Sequence, residues 1–240
     1  SLKLKDATAD SAPLWQIVEA TSERDLAAIA DKAATAGHVT LQWLLRGTGI
    51  TATLRGILIS VDGQSMTFAS SATLMHSAAF ATLLANRTIS KISHDWKLAV
   101  FALSRAGLTV NPPWIDTMIG DYLLHPNRRA HTIEAAALDL LGESLPTLTP
   151  DTPAPQAPAS LFDGLDDDTE VLDSRSSKVQ QAGGELHALV RLAPRLTAQL
   201  EEQGSLRLFE EVEMALIPVL AEIERNGFSL DVQALHHLGQ

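Results

Sequence analysis

The sequence predicts an α/β (α+β) domain in which helices flank a mixed sheet, followed by a helical C-terminal extension. Two observations favour this class. Three extended segments follow one another closely between His38 and Ala69, as in a β-meander, and helical patterns then alternate with one further extended segment as far as Leu141. The chain has 240 residues, of which 45% are hydrophobic, so it is long enough to bury one large core or two smaller ones.

The N-terminal elements are bounded by capping and turn residues. Leu14 to Ala20 predicts a strand. Thr21-Ser22 offers an N-cap and Gly37 a left-handed stop, so residues 23–36 between them predict a helix. The meander then follows, with Asp62-Gly63 as its last turn. Its predicted strands are His38 to Leu45, Thr51 to Val61 and Gln64 to Ala69.

The next elements are predicted as helices separated by one strand. The strand is Ile89 to Ser93, and the helices are Ala72 to Ala85, Trp96 to Ala106, Ile115 to Leu124 and Thr132 to Leu141. Gly107 ends the second of these helices, and Pro112-Pro113 precedes the third. The helical pattern returns from Thr169 to Gln203, where Gly183-Gly184 and Pro194 predict interruptions.

Between these helical regions, the composition changes to Pro, Thr, Ala and Asp over residues 143–168. Five prolines from Pro146 to Pro158 exclude a continuous helix or a central strand. The acidic run from Asp163 to Asp168 resists burial. We therefore expect an exposed loop without regular structure over residues 143–168.

The segment LFEEVEMALIPVLAEIERNGFSLD, from Leu208 to Asp231, predicts an amphipathic helix that stops at Asn226-Gly227 and leads into a short extended run. Its apolar residues recur at three- and four-residue spacing, which indicates a face turned toward the core. The residues of this predicted core face are Leu208, Val212, Leu216, Val219, Leu220 and Ile223. Pro218 lies within the pattern and predicts a kink.

Charge and composition exclude several classes of function. The formal net charge of -11 disfavours a surface built to neutralise phosphates, so we expect weak binding of DNA by this chain alone. The chain has no cysteine, which excludes disulfides and thiolate zinc sites and fits a reducing cytoplasm. We find no apolar run of membrane-spanning length and no signal peptide, so we expect a cytoplasmic monomer.

Two segments resemble the family A DNA polymerases of the bacterial DNA polymerase I type. The segment that begins LFEEVEMALIPVL resembles the opening of their polymerase module, and ISKISHDWKLAVFALSRAG with PPWIDTMIGDYLLHPNRRAHTIEAAALDLLG resembles the centre of their 3'-5' exonuclease domain. The resemblance implies a ribonuclease-H-like exonuclease domain over residues 1–205 and the beginning of the polymerase (thumb) domain over residues 206–240. Because the chain opens on Ser1-Leu2, we interpret it as a fragment of a longer polymerase.

In that family, the exonuclease holds two divalent metal ions with carboxylates from three motifs. The resemblance places the first motif on Gln42 and Leu44, within Gln42-Trp43-Leu44-Leu45, and residues 39–61 contain neither Asp nor Glu. It places the second motif on Asp95 and Ala99, where Asp95 also suits a helix N-cap. Over the third motif, from Gln180 to Leu189, Glu185 is the only acidic residue. All three motifs depart from the family pattern.

The leading hypothesis is therefore a catalytically inactive exonuclease-like domain that is a structural platform for template-directed DNA synthesis. We expect no catalytic residue, metal or cofactor in this chain. We expect the longer polymerase to bind Mg²⁺ and DNA. We also expect this chain to contact the remaining polymerase domain. A second hypothesis is a metal-dependent 3'-5' exonuclease whose ligands are drawn from Asp95, Asp116, Asp121 and Glu185. For Asp116, a helix cap is the competing interpretation. A third hypothesis is a protein-interaction module that uses the acidic loop at Asp163 to Asp168.

Overall fold

Six strands form one mixed sheet with the meander at its centre. The computed structural model describes residues 15–145, 172–227 and 229. The strands are β1 Ile17–Glu19, β2 His38–Arg46, β3 Thr53–Ser60, β4 Met66–Ser70, β5 Ser90–Ser93 and β6 Trp114–Asp116. Their order is β1-β4-β3-β2-β5-β6; β2, β3 and β4 are antiparallel neighbours, while β1 is parallel to β4, and β5 and β6 run parallel to β2. The predicted α/β fold class is confirmed.

Helices cover both faces of this sheet. They are α1 Glu23–Ala36, α2 Ser71–Met75, α3 Ala78–Ala85, α4 Trp96–Arg105, α5 Thr117–Leu124, α6 Ile133–Leu141, α7 Ser177–Glu202, α8 Leu206–Leu208 and α9 Met214–Asn226, with a π-turn at Phe209–Glu213. Side chains alternate along a strand, so neighbouring residues of β2 face opposite helices. Leu44 packs with Leu186 of α7, whereas the ring of Trp43 lies 5.6 Å from that of Trp96 in α4.

Helix α1 has the predicted bounds because both caps form. The Ser22 side chain accepts a hydrogen bond from the Asp25 N–H, and the Asp25 carboxylate accepts one from the Ser22 N–H. This reciprocal pair satisfies N–H groups that have no partner within the helix. At the other end, Gly37 has a φ of 74°, a left-handed conformation that side chains other than hydrogen disfavour.

Two predicted helices differ from the observed elements. The helix predicted from Ala72 to Ala85 is divided into α2 and α3, because the Ser77 hydroxyl accepts a hydrogen bond from the Phe80 N–H at 3.0 Å and starts a new helix. The helix predicted from Ile115 to Leu124 begins later, at Thr117. Residues 114–116 instead form β6, because β5 lies alongside and pairs Lys91 with Trp114.

Helix α7 is continuous over 26 residues, so the interruptions predicted at Gly183-Gly184 and Pro194 are wrong. Gly183 serves close packing: a Cβ atom there would lie 2.9 Å from Cδ1 of Trp15. The apolar contacts of α7 with the sheet stabilise the helix by more than the weak helix propensity of two glycines costs, about 1 kcal/mol each.

The C-terminal helix buries a different face from the predicted one. Leu208, Val212, Leu216, Val219, Leu220 and Ile223 are 38–59% exposed, whereas the buried residues are Phe209, Met214, Ile217 and Ala221. The π-turn explains the difference. One wider turn brings residues five apart, Phe209 and Met214, onto one face, after which the spacing of three and four resumes. We call the six exposed residues the apolar stripe.

Some predicted features lie outside the described residues. These are residues 146–168 of the Pro- and Asp-rich loop, with the acidic run from Asp163 to Asp168, and the extended run predicted after Gly227. Within residues 15–145 and 172–227, no helix is both long and apolar enough to cross a membrane.

Candidate functional site

The position predicted for the first carboxylate motif holds an amide that contacts α7. Gln42 lies on the α7 side of β2, and its Nε2 donates a hydrogen bond of 2.6 Å to Oε2 of Glu185. Nε2 of Gln181 donates to the other oxygen, Oε1, at 3.1 Å. Burial raises the pKa of Glu185; the negative charge of Glu134 raises it further, and the two amide hydrogen bonds oppose the shift. Both carboxylate oxygens are thus engaged by neutral amides.

Of the four residues at the first motif, Gln42 donates to Glu185 of α7 and Leu44 packs against α7. Trp43 faces α4, as its contact with Trp96 shows. Leu44 is buried against Leu186. The first motif therefore supplies one amide and one aliphatic side chain to the site, neither of which carries a charge.

A pocket of about 270 Å³ lies beside Glu185, between the end of β2, the beginning of β3 and the start of α7. Its described lining includes the apolar Leu44, Leu45 and Leu172 and the cationic Arg46, Arg55 and Lys178. A β-bulge shapes it: Leu44 pairs with Gly56 and Leu45 with Leu54, which leaves Arg55 as the extra residue between them. We call this cavity the β2–α7 pocket.

The residues at the second motif lie at the start of α4 and within it. Ala99 is fully buried and presents only a methyl group. Asp95 caps α4, since its Oδ1 accepts a hydrogen bond of 3.1 Å from the Leu98 N–H, and the predicted N-cap is confirmed. Its backbone has a φ of 54°, a left-handed conformation that Asp and Asn tolerate better than most residues.

Asp116, at the end of β6, is fully buried and accepts three backbone hydrogen bonds. The donors are the N–H groups of Trp96 at 2.8 Å, Met118 at 2.9 Å and Asp95 at 3.1 Å. Asp116 therefore caps α5, as predicted, and also joins the start of α4 to the sheet. Burial raises its pKa to about 6 against the opposing effect of these donors.

Asp121, in α5, is buried within a charge network that the sequence did not reveal. Its carboxylate accepts hydrogen bonds from Arg128 at 2.8 Å, from Nδ1 of His125 at 3.0 Å and from Nδ1 of His131 at 2.6 Å. Arg128 and His125 also contact the half-exposed Asp139. The network fixes the connection between α5 and α6.

These observations allow a test of the two-metal site that the family implies. Hard divalent cations require several converging carboxylate oxygens. The carboxylates of the candidate ligands Asp95, Asp116, Asp121 and Glu185 each accept the protein hydrogen bonds described above. Over residues 15–145 and 172–227, no group of three or more His, Asp or Glu side chains is placed to hold a metal ion. The residues present do not fit a two-metal site.

The sheet order and its flanking helices define the class of the domain as ribonuclease H-like, with the fold of 3'-5' exonucleases. Residues 47–141 match the family model of the DNA polymerase I ribonuclease H-like domain. The structure of Escherichia coli RNase D, an exoribonuclease involved in structured RNA processing, superposes with a TM-score of 0.65 at 14% identity, over 87% of this chain and 51% of RNase D.

The particular relationship is to bacterial DNA polymerase I, and the resemblance stated from the sequence is confirmed. DNA polymerase I of Mycobacterium bovis is 31% identical over 161 residues, which are 67% of this chain and 17% of that protein. The structure of the POL domain of Mycobacterium smegmatis Pol1, in complex with DNA primer-template and dNTP, has a TM-score of 0.72 at 22% identity, over 93% of this chain and 34% of that chain. The chain therefore matches only a small part of its relatives' length.

Proposed function

We propose that this chain is a catalytically inactive 3'-5' exonuclease-like domain, residues 1–205, followed by the beginning of a polymerase domain, residues 206–240. The hydrogen bond between Gln42 and Glu185 carries this proposal. It occupies the place where the family needs converging carboxylates, and an amide donates to the carboxylate instead of sharing a cation with it. Gln42, Leu44, Asp95 and Ala99 are then degenerate motif positions without a catalytic role.

The proposed role is that of a structural platform for template-directed DNA synthesis. The apolar stripe supports it, since six large side chains on one helical run are 38–59% exposed and contiguous apolar surface of this kind marks an interaction face. Lys97 holds the same helix to the domain through Glu224 at 2.6 Å. We propose that DNA, dNTP and Mg²⁺ are bound by the longer polymerase, and that this chain alone binds single-stranded DNA weakly because of its net charge of -11.

The first expected result is that the purified chain does not shorten a labelled single-stranded oligonucleotide in the presence of Mg²⁺ or Mn²⁺. An active 3'-5' exonuclease, assayed beside it, shows that the conditions support the reaction. Metal-dependent degradation that the Glu185→Gln variant abolishes, with the variant still folded by circular dichroism, would contradict the proposal and support relocated ligands.

The second expected result concerns the apolar stripe. The double substitution Leu216→Glu and Leu220→Glu leaves the melting temperature of this chain nearly unchanged, because both side chains are already exposed. In the longer polymerase, the same change lowers stability or polymerase activity, because two charges enter a buried contact.

The matched control for the stripe is Glu222→Ala, a change on the same helix outside the stripe. If the longer protein tolerates the double substitution as well as it tolerates Glu222→Ala, the platform role has to be abandoned. The same conclusion follows if removing the residues before Leu206 leaves its stability and activity intact.

A further inference from the structure

The carbonyl of Met214, in the first turn of α9, accepts a hydrogen bond from outside the helix. In a regular helix this carbonyl would accept from the N–H of the residue four positions later. That residue is Pro218, which has no N–H and whose ring pushes the carbonyl four positions before it out of line. The indole Nε1 of Trp114, in β6, donates a buried hydrogen bond of 2.9 Å to this carbonyl. A side chain of the sheet therefore supplies the donor that the proline lacks.

Donor and acceptor are each positioned by contacts other than this bond. The side chain of Trp114 is buried, and its ring lies 5.6 Å from the ring of Trp96. Trp96 is fixed to the same strand, since its Nε1 donates to the Ile115 carbonyl at 3.1 Å. On the other side, the π-turn brings Phe209 and Met214 onto the face that packs against the core. The indole N–H and the carbonyl therefore meet in a fixed geometry.

The Trp114–Met214 bond is buried, unlike a second polar contact of the same helix. Lys97 and Glu224 form an ion pair of 2.6 Å, and their side chains are 36% and 41% exposed. Solvent screens an exposed ion pair, whereas a buried carbonyl that loses its donor is costly. We therefore expect loss of the Trp114–Met214 bond to loosen α9 more than loss of the ion pair.

The bond acts at the point where α9 is expected to bend. A proline inside a helix bends it, and the direction of the second half depends on how the bend is held. Val219, Leu220 and Ile223, which are half of the apolar stripe, lie beyond Pro218. The hydrogen bond to Met214 therefore affects the direction in which this half of the stripe faces.

We propose that Trp114 is a positioning residue for the start of the polymerase domain. Its indole N–H holds the carbonyl to which Pro218 cannot donate, and this contact fixes the direction in which α9 presents the apolar stripe. The inference rests on the proposed platform role, because a stripe that contacts the remaining polymerase domain has to be presented in one direction.

The experiment is amide hydrogen exchange of this chain at pH 7, with the amides of β3 as the internal reference. Trp114→Phe is expected to speed exchange of the α9 amides about ten-fold relative to β3, because a buried carbonyl loses its donor. Pro218→Ala supplies an N–H within the helix that serves the same carbonyl. In the presence of Pro218→Ala, Trp114→Phe therefore speeds exchange only about two-fold, which is the part due to lost packing.

Pro194→Ala is the matched control for the rescue. It also gives an N–H to a proline position inside a helix, but in α7 rather than α9. Trp114→Phe is expected to keep its ten-fold effect in the presence of Pro194→Ala. Lys97→Gln, which removes the exposed contact with Glu224, is expected to speed exchange of α9 less than about two-fold.

Three results would overturn the inference: exchange of α9 that Trp114→Phe leaves unchanged, an effect of equal size with and without Pro218→Ala, or equal rescue by Pro194→Ala. If Trp114→Phe does not fold, the indole N–H proton of Trp114 is observed by NMR in the Pro218→Ala variant. We expect its resonance to move upfield, because two donors then share one carbonyl. An unchanged resonance would contradict the inference.

The substitutions in the apolar stripe report separately on the proposed function. If the longer polymerase tolerates Leu216→Glu with Leu220→Glu while the exchange results hold, the platform role is refuted and the positioning of α9 by Trp114 is supported. If those substitutions impair the longer polymerase but the exchange results fail, this inference alone is refuted.

Discussion

Replacement of Asp116 by alanine is expected to destabilise the domain by about 3 kcal/mol, because an unpaired buried donor costs about 1–3 kcal/mol and three N–H groups lose their acceptor. The carboxylate is fully buried and joins the starts of α4 and α5 to the end of β6. For a chain of this length, the loss corresponds to a fall in melting temperature of about 10 °C. Urea unfolding followed by circular dichroism, at pH 7, measures the change.

The control for this prediction is Asp31→Ala, which removes an exposed carboxylate from α1 and is expected to change stability by less than about 0.5 kcal/mol. The pH dependence of the free energy of unfolding tests whether Asp116 is the group that ionises. The pKa of Asp116 is raised from 3.8 to about 6 in the folded state, so the part of its contribution to stability that depends on protonation is present below pH 3.8 and is lost as the pH rises through 6. The hydrogen bonds that its carboxyl group accepts from the three N–H groups remain at pH 7. The stability of the wild type relative to Asp116→Asn therefore falls over this interval. A difference that stays constant with pH would contradict the assignment.

Replacement of Asp121 by alanine is expected to cost a similar amount, about 3 kcal/mol, because one partner of a buried ion pair is removed. Arg128, whose side chain is 24% exposed, loses hydrogen bonds to both oxygens, and His125 and His131 lose their common acceptor. Of the ion pairs described at the connection between α5 and α6, those with Asp139 then remain. Chemical denaturation measures the loss.

Asp139 provides a matched comparison within the same network. Its side chain is 44% exposed and contacts the same arginine at 2.9 Å. Because solvent screens exposed ion pairs, we expect Asp139→Ala to cost about 1 kcal/mol or less. Equal costs for the two aspartates would show that burial does not set the energy of this network.

The parts of the fold that the sequence predicted well are those set by local chemistry. Ser22 and Gly37 bound α1 because each satisfies backbone groups only a few residues away. The predicted elements were wrong where residues distant in sequence determine the local structure. β6 exists because β5 lies beside it, and α7 passes through Gly183 because Trp15, far away in sequence, occupies the space of the missing Cβ. The sequence spacing places the apolar stripe in the core because a π-turn leaves no clear mark in the sequence.

At the candidate site, too, local features were predicted from the sequence and contacts between distant residues were not. The absence of carboxylates from residues 39–61 was visible in the sequence, as was the N-cap role of Asp95. The contact between Gln42 and Glu185 was not, because 143 positions separate them. The cationic lining of the β2–α7 pocket did have a signal in the sequence: Arg46 and Arg55 are the only charged residues among residues 39–61. The charge network around Asp121 depends on the path of the loop between α5 and α6, which the spacing of residues in the sequence does not reveal.

The late position of α7 in the chain determines when one face of the sheet is covered during synthesis. This helix covers the sheet face that carries Leu44, Leu58 and Phe68, yet it begins only at Ser177. During synthesis from the N-terminus, the meander is complete more than a hundred positions before its cover emerges from the ribosome. Over that interval, its apolar face is open to water and to other nascent chains, so the domain closes late and through contacts of high sequence separation.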